Sequence, residues 1–143
     1  GDDVSAWLEE NGMIEETGEF VINLTTRKLA RAADYCGVKS GRDTDKIKDM
    51  KLHLLPGEAV KAPLLAESPV NIECRVKQTL RLGSHDMYLA DVVAVHADEE
   101  YMDEKGRFYM DKSCPIAYSH GGYYLLGEKL GTFGYSVKKR RNS

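Results

Sequence analysis

The sequence predicts one α+β domain dominated by an antiparallel β-barrel. Three observations support this fold class. The chain has 143 residues, a length that suits a single domain with one hydrophobic core. Helical patterns come first, a long hairpin pattern fills the middle of the chain, and short strand patterns follow it. We find no internal repeat and no low-complexity segment, so we treat residues 1–143 as one domain.

Composition restricts the possible partners. The chain carries 20 Lys and Arg against 23 Asp and Glu, for a net charge of −3, which argues against a nucleic-acid-binding face. No apolar run approaches the roughly 20 residues that cross a bilayer, so we expect no membrane partner. We interpret the basic tail, residues 138–143, as a frayed terminus; the alternative is an arm that binds anions.

The cysteines and histidines indicate neither a metal site nor a disulfide framework. Cys36, Cys74 and Cys114 are odd in number and widely spaced, and no C-x-x-C pair occurs. The four histidines are equally scattered along the chain. Reduced thiols are the simplest interpretation, and they predict a cytoplasmic protein with no bound metal.

The chain begins with a predicted helix over residues 1–12. Val4, Trp7 and Leu8 recur at helical spacing, and Gly12 interrupts the pattern before a short turn through Met13 and Ile14. Exposing a side chain as large and apolar as tryptophan to water is costly, so we expect Trp7 to be buried against another part of the protein. A frayed tail is the alternative.

A short buried strand and a helix follow. Residues 19–24 are rich in β-branched side chains and are bounded by Gly18, which favours a strand. Thr26 is the predicted N-cap of a helix over 27–35, and Gly37 is its predicted C-terminal stop.

The loop after this helix has the composition of an anion-binding nest. Ser40 and Gly41 can present backbone N–H groups at the start of a second predicted helix, over residues 44–50. Lys39, Arg42 and Lys46 add positive charge. The alternative is a helix-to-helix turn with a solvated charged face.

The middle of the chain predicts a long hairpin. Even positions from Val70 to Leu82 are mostly apolar and odd positions are polar, which is typical of a strand with one buried face. Gly83-Ser84 is a two-residue turn signal. The return strand, about 85–96, is apolar on both faces, so we expect a barrel or a barrel packed on a partner.

The C-terminal part predicts a turn over 103–107 and short strands from Pro115 to Leu126. The pair Gly121-Gly122 lies between aromatic residues. Such glycines allow close approach of another strand or a flat ligand, although most such segments are edge loops.

Several stretches, taken together in this order, resemble the flavin reductase-like, FMN-binding split-barrel family and within it the flavoredoxin branch. The likeness runs from Met13 to about Lys139. The matching stretches are 16–24 (ETGEFVINL), 34–37 (DYCG), 40–43 (SGRD), 45–46 (DK), 66–74 (AESPVNIEC), 82–87 (LGSHDM), 92–95 (VVAV), 115–118 (PIAY) and 130–131 (LG).

This resemblance implies a homodimeric split barrel that holds FMN non-covalently near the subunit interface and passes electrons between NAD(P)H, flavin and an acceptor. It implies that Asn23 and the loop from Lys39 to Lys46, with Ser40, Gly41 and Arg42, lie near the flavin. His85 and His120 fall in motifs that resemble those on the reductant side, with packing roles as the alternative. The cofactor carries such chemistry, so no catalytic triad is needed.

One departure from the family concerns the N-terminus. Members begin with several strands before the stretch at 18–23, whereas only residues 1–12 precede the matching region here. We therefore expect an N-terminally shortened split barrel. Three explanations are open: the sequence here omits these strands, the gene encodes a shortened member, or another chain completes the barrel. The alternative function is a shortened, non-catalytic dimeric protein with weak or no flavin binding.

Overall fold

A computed structural model describes residues 13–39 and 45–139. Residues 13–17 are helical, and the bounds of the later elements are as follows. The strands are β1 (Glu19–Asn23), β2 (Leu54–Leu55), β3 (Leu64–Leu65), β4 (Val70–Arg81), β5 (Asp86–Ala97), β6 (Ile116–Ser119) and β7 (Gly122–Leu125). The helices are α1 (Ala30–Val38) and α2 (Lys46–Asp49), with 3₁₀ turns at Arg27–Leu29, Glu99–Tyr101, Met110–Ser113 and Tyr135–Val137.

The central feature is an antiparallel sheet with the strand order β1-β4-β5. Phe20 lies opposite Cys74, and Ile22 lies opposite Ile72. The β4–β5 ladder has two bulges, one beside Glu73 and one beside Val76. Bulges increase the local twist and curvature of a hairpin. The antiparallel α+β architecture predicted from the sequence is confirmed.

The hairpin turn is also where the sequence predicts it. Leu82 N donates to His85 O at 3.0 Å, and Gly83 has φ +91°. Only glycine adopts such a conformation without strain.

One part of the hairpin prediction is wrong. Odd positions of β4 were expected to face solvent, yet Asn71 and Glu73 are buried, with Glu73 at 0% exposure. We call residues 57–65 the covering segment. It supplies hydrogen bonds to both side chains: Val60 N donates to Glu73, and Asn71 donates to Leu65 O. Polar side chains are stable in a buried position when their hydrogen bonds are met.

The helix boundaries differ from the prediction. Thr26 occupies the N-cap position of the Arg27–Leu29 turn but makes no side-chain cap bond. It pairs instead with Pro115 in a β-bridge. Gly37 is not the helix stop, because α1 continues to Val38 and ends at the extended residue Lys39. The second helix is shorter than the predicted 44–50 and is capped by the Asp45 carboxylate.

The C-terminal half is built from turns and a second hairpin. Asp103 N donates to Arg107 O at 2.9 Å, which closes the predicted turn. His120 and Gly121 join β6 to β7 with φ +48° and +82°, the signs that a type I′ turn requires. Within 13–39 and 45–139, no helix is long and apolar enough to span a membrane. The predicted positions of Val4, Trp7 and Leu8 lie outside the described residues.

Candidate functional site

Two contacts hold together the ends of the predicted anion-binding loop. Lys46 Nζ donates to Cys36 O at 2.6 Å, and the Tyr35 hydroxyl donates to Asp49 Oδ2 at 2.7 Å. The last turn of α1 is therefore fixed to α2. Ser40, Gly41 and Arg42, which belong to the loop between these contacts, lie outside the described residues.

The two described cations of this loop can still bind an anion. Lys39 is exposed where α1 ends, and its backbone N–H donates to Tyr35 O at 3.0 Å. An ammonium group has three donors, and within residues 13–39 and 45–139 the only hydrogen bond of Lys46 Nζ is the one to Cys36 O. Burial raises the pKa of the Cys36 thiol, and the charge of Lys46 opposes that rise. Cys36 is thus a neutral neighbour of the loop.

The β6–β7 hairpin is tied to the same helix. The Tyr123 hydroxyl donates to Asp34 Oδ1 at 2.9 Å, and this bond raises the pKa of Tyr123, with burial adding to the rise. Tyr118 packs edge to face on Tyr123 with ring centroids 5.3 Å apart. Because His120 is in the turn of this hairpin, α1 positions both the cationic loop and the hairpin that carries His120. Sequence reasoning missed the Asp34–Tyr123 bond, which joins residues distant in the chain.

Asn23 and His85 make their hydrogen bonds elsewhere. Asn23 Oδ1 accepts from Leu65 N at 3.1 Å and from Asn71 Nδ2 at 2.7 Å, so its carbonyl end anchors the covering segment. Its amide NH₂ end is the part that can serve a ligand. His85 Nδ1 lies 2.9 Å from Ser84 Oγ in the exposed turn between β4 and β5. Roles of both residues toward a flavin or reductant stay predictions.

Glu73 is a second polar centre that sequence reasoning missed. Its carboxylate accepts backbone N–H bonds from Glu58 (3.1 Å), Ala59 (2.9 Å) and Val60 (2.9 Å), and it also bonds to His96 Nε2. The bond from His96 and those backbone bonds outweigh burial and lower the pKa of Glu73 to about 2. Nothing in the sequence signals this centre, since a glutamate at an odd strand position is ordinary.

The same residues could in principle approach a cation. Ligand atoms of Glu58, Glu73 and His96 lie within 4.8 Å of one another. However, both carboxylate oxygens of Glu73 already accept two hydrogen bonds each, which uses the capacity of a carboxylate. We interpret the group as the anchor of the covering segment on the sheet.

A cleft of about 880 Å³ opens beside the far end of the β6–β7 hairpin. Arg107 Cζ and Lys112 Nζ lie 5.0 and 4.5 Å from the centre of the Tyr109 ring. The Tyr109 hydroxyl donates to Asp103 at 3.0 Å, which raises the pKa of Tyr109. Leu125 and other apolar residues form an adjacent wall. A cleft of this size and chemistry suits a small ligand with an anionic group.

Comparisons with known proteins identify the family and the fold of the chain. The sequence matches the flavin reductase like domain family over residues 11–127. The flavoredoxin of Desulfovibrio vulgaris (Miyazaki F) superposes with a TM-score of 0.80 at 30% identity, over 90% of this chain and 70% of that one. The flavoredoxin of Methanosarcina acetivorans has a TM-score of 0.75 at 28% identity, over 87% of this chain and 68% of that one.

Curated relatives are longer than this chain. An uncharacterized protein of Archaeoglobus fulgidus is 30% identical over 95 residues, which are 66% of this chain and 54% of that protein. The protein PYRAB12460 of Pyrococcus abyssi, also uncharacterized, is 35% identical over 88 residues, 62% of this chain and 50% of that protein. The chain thus spans about half the length of the curated relatives it matches. With the family match and the flavoredoxin-like fold together, the chain belongs to the flavin reductase like domain family.

Proposed function

We propose that this chain binds FMN non-covalently and serves as a flavin-dependent oxidoreductase that passes electrons between NAD(P)H, flavin and an acceptor. Membership in the flavin reductase like domain family carries this proposal. The flavoredoxin-like fold supports it, since two of the similar structures are flavoredoxins. When bound, the flavin would supply the redox chemistry, and the protein would supply binding, orientation and polarity.

The loop at the end of α1 is the proposed site of the flavin phosphate. Lys39 and Lys46 bring positive charge to the two ends of this loop, whose ends are held together through Cys36 and Tyr35. Arg42 would add a two-pronged guanidinium contact, and Lys46 would act as a point charge. The residues that the structure describes at this site fit a dianion, because both carry a positive charge and, within the described ranges, Lys46 Nζ bonds only to Cys36 O.

Other residues would orient the cofactor and its reductant. The amide NH₂ of Asn23 is available to the flavin because only its carbonyl oxygen bonds Leu65 and Asn71. His120 would lie on the reductant side, where the bond from Tyr123 to Asp34 fixes its hairpin against α1. We also propose His85 for the reductant side.

We further propose that the protein is a homodimer located in the cytoplasm. The apolar side chains of β5 support a dimer, since Met87, Leu89, Val92 and Val95 are 40–60% exposed in one copy. Large exposed apolar areas are unusual on a monomer. The location is supported by Cys36, Cys74 and Cys114, which are free thiols.

A titration with FMN tests the cofactor and its phosphate site. Purified protein should quench flavin fluorescence on binding. The Arg42→Ala variant should bind about 10- to 150-fold more weakly, because a hydrogen bond to a charged group contributes about 1.5–3 kcal/mol. Arg31→Ala is the matched control: Arg31 is exposed on α1 and should leave the affinity unchanged.

Two results would contradict the proposal at different levels. Equal affinity of the Arg42→Ala and Arg31→Ala variants would remove the phosphate assignment, with Arg42 then pairing on the surface, where such pairs contribute about 0–1 kcal/mol. Failure of the unmodified chain to bind FMN would favour the non-catalytic alternative. If FMN binds, anaerobic addition of NADH or NADPH should bleach the flavin absorbance and identify the preferred reductant.

A further inference from the structure

The cleft beside the far end of the β6–β7 hairpin contains an aromatic ring that is held at both ends. The Tyr109 hydroxyl donates to Asp103 Oδ2 at 3.0 Å, and Tyr109 N donates to Tyr101 O at 2.8 Å. Asp103 is itself fixed in its turn, because its Oδ1 accepts from Arg107 N and Lys105 N, both at 2.9 Å. The bond from Arg107 N and those from Tyr109 and Lys105 outweigh burial and lower the pKa of Asp103. The Tyr109 ring is therefore a rigid part of the cleft.

Two cations lie against this ring. Arg107 Cζ and Lys112 Nζ are 5.0 and 4.5 Å from its centre, and both side chains line the cleft. Like charges that share one ring repel each other, so a negative charge beside them would be stabilised. Within residues 13–39 and 45–139, neither side chain takes part in an ion pair. Arg107 and Lys112 are thus positive charges that a ligand in the cleft would meet.

Another part of the cleft is apolar and is tied to the body of the protein. Pro115, Leu125 and Leu126 belong to this part of the lining. Pro115 pairs with Thr26 in a β-bridge, and Leu125 pairs with Ile116 at the end of the hairpin. Leu125 and Leu126 are 48% and 62% exposed. Apolar side chains beside cations suit a ligand whose apolar body carries an anionic group.

The backbone between the cationic and apolar parts is held in a rarely populated conformation. Cys114 has φ +55° and ψ +61°, in the left-handed region that residues other than glycine seldom adopt. Its carbonyl accepts from Arg27 N at 2.8 Å, and its N–H donates to Asp111 O at 3.1 Å. Such a conformation persists where the surrounding contacts fix it, and residues of this kind cluster at ligand sites. The positions of Lys112 and Pro115 on either side of Cys114 are therefore set by the fold.

The charges that line the cleft favour a ligand with a single negative charge. Three cationic side chains, Arg107, Lys112 and Lys129, stand with the two carboxylates of Asp111 and Glu128. The excess of one positive charge matches a carboxylate. A phosphate monoester would instead bring a charge of about −2 close to those two carboxylates. In addition, the guanidinium of Arg107 offers paired N–H donors that fit both oxygens of a carboxylate.

We propose that this cleft binds a monocarboxylic acid with an apolar body, whose carboxylate contacts Arg107 and Lys112 and whose body packs on Pro115, Leu125 and Leu126. The cleft volume of about 880 Å³ lies within the ~300–1,000 Å³ of small-molecule sites. The inference does not depend on the flavin proposal, because the described ends of the loop between α1 and α2 do not line this cleft.

Titration calorimetry of the full chain with three related compounds tests the ligand class. Naphthoate carries the proposed carboxylate, naphthamide has the same rings without a charge, and naphthyl phosphate replaces the carboxylate with a dianion. We expect naphthoate to bind about tenfold or more tightly than either of the others, a difference of about 1.4 kcal/mol. No binding of naphthoate at millimolar concentration would overturn the site. Equal binding of naphthamide would overturn anion recognition, and a phosphate that binds as tightly as naphthoate would overturn the choice of a carboxylate.

Substitutions test the two cations. Arg107→Gln and Lys112→Gln should each weaken naphthoate binding about tenfold, the low end of the range for a hydrogen bond to a charged group. Lys105→Gln is the matched control: it removes one positive charge from the same turn as Arg107, but Lys105 does not line the cleft and holds Asp103 only through its backbone N–H. Circular dichroism verifies that each variant folds. Equal weakening by Lys105→Gln would reduce the effect to net charge and overturn the assignment.

The thiol of Cys114 reports where the ligand lies, because it is exposed and lines the cleft. Saturating naphthoate should slow alkylation of Cys114 by iodoacetamide at least fivefold, measured by peptide mass spectrometry, and should leave the rate at Cys36 unchanged. Unchanged alkylation of Cys114 would place the ligand elsewhere and overturn the proposal.

FMN is included as a competitor so that the two proposals fail separately. FMN that protects Cys114 and displaces naphthoate would assign the cleft to the flavin and overturn the carboxylate site. We expect no such displacement, and we expect Arg107→Gln to leave the affinity for FMN unchanged. Failure of the chain to bind FMN would remove the flavin proposal and leave the result with naphthoate standing.

Discussion

Replacing Gly57 with alanine should destabilise the protein, because at that residue the covering segment folds tightly on itself and over the Glu73 side chain. An added Cβ would lie 2.5 Å from Val60 O, 2.8 Å from Glu73 Oε1 and 3.0 Å from Ala62 O. Two of these atoms are backbone carbonyl oxygens, which cannot rotate away. The third belongs to a side chain already held by His96 and three backbone N–H groups. Relief therefore requires the covering segment to shift.

The size of the effect follows from that geometry. Overpacking a tightly packed site costs about 1–3 kcal/mol. The lower backbone entropy of alanine in the unfolded chain offsets about 0.4–1 kcal/mol of this cost. We expect a net loss of about 1–2 kcal/mol, or roughly 3–8 °C in Tm for a domain of this size. Urea unfolding monitored by circular dichroism gives the free energy directly.

The same substitution at Gly37 is the control. Gly37 lies inside α1, and a Cβ there would have no neighbour within 4 Å. Alanine should stabilise a helix interior by about 0.5–1 kcal/mol relative to glycine. The two variants should therefore change stability in opposite directions. A Gly57→Ala protein as stable as the Gly37→Ala protein would refute the close packing of the covering segment.

Three further predictions concern buried groups. The pKa of Glu73 is lowered from 4.5 to about 2, so its ionised form stabilises the fold above about pH 4.5, and this contribution disappears as the pH falls toward 2. Between pH 6 and 3, the urea midpoint of Glu73→Gln should therefore fall less steeply than that of the unmodified protein. Parallel curves for the two proteins would contradict this. Asn71→Ala removes two hydrogen bonds at a buried position, those to Asn23 Oδ1 and Leu65 O, and should cost about 1–3 kcal/mol in urea unfolding, since each bond contributes about 0.5–1.5 kcal/mol. The exposed Gln78→Ala on the same strand should change stability by no more than ~0.5 kcal/mol, and an equal effect of the two variants would contradict the role of Asn71. Burial raises the pKa of the Cys74 thiol and shields it from solvent. A thiol reagent should therefore modify the exposed Cys114 in the native protein and Cys74 only after unfolding. Rapid modification of Cys74 in the native protein would contradict its burial.

The hairpin could be predicted from the sequence because its signals are local. Alternation from Val70 to Leu82 and the glycine at 83 define two paired strands and their turn, and the structure places Gly83 at φ +91°. The failure at Asn71 and Glu73 has a non-local cause. Periodicity identifies which residues share a face, but whether a distant segment covers that face depends on tertiary contacts such as those from Ala59 and Val60.

In the candidate site too, local features could be predicted from the sequence, whereas contacts between distant segments could not. Lys39 and Lys46 could be singled out by composition alone, since basic residues beside a helix start are a local pattern. Two hydrogen bonds could not be predicted in this way: the one from Lys46 to Cys36 O and the one from Tyr123 to Asp34. Each depends on how the chain folds back on α1. The resemblance to the flavoredoxin branch, which used several stretches in order, gave the family correctly.

The two bonds that join α1 to α2 have a consequence for ligand affinity. A flexible loop loses conformational entropy when a ligand fixes it, and that loss weakens binding. Here Cys36 O with Lys46 and Tyr35 with Asp49 bring the ends of the loop together when the chain folds. The entropy of closing the loop is then lost during folding and not during ligand capture. A charged ligand bound between Lys39 and Lys46 would therefore meet two loop ends that are already held together, and weakening either bond should lower affinity without removing any group that contacts the ligand.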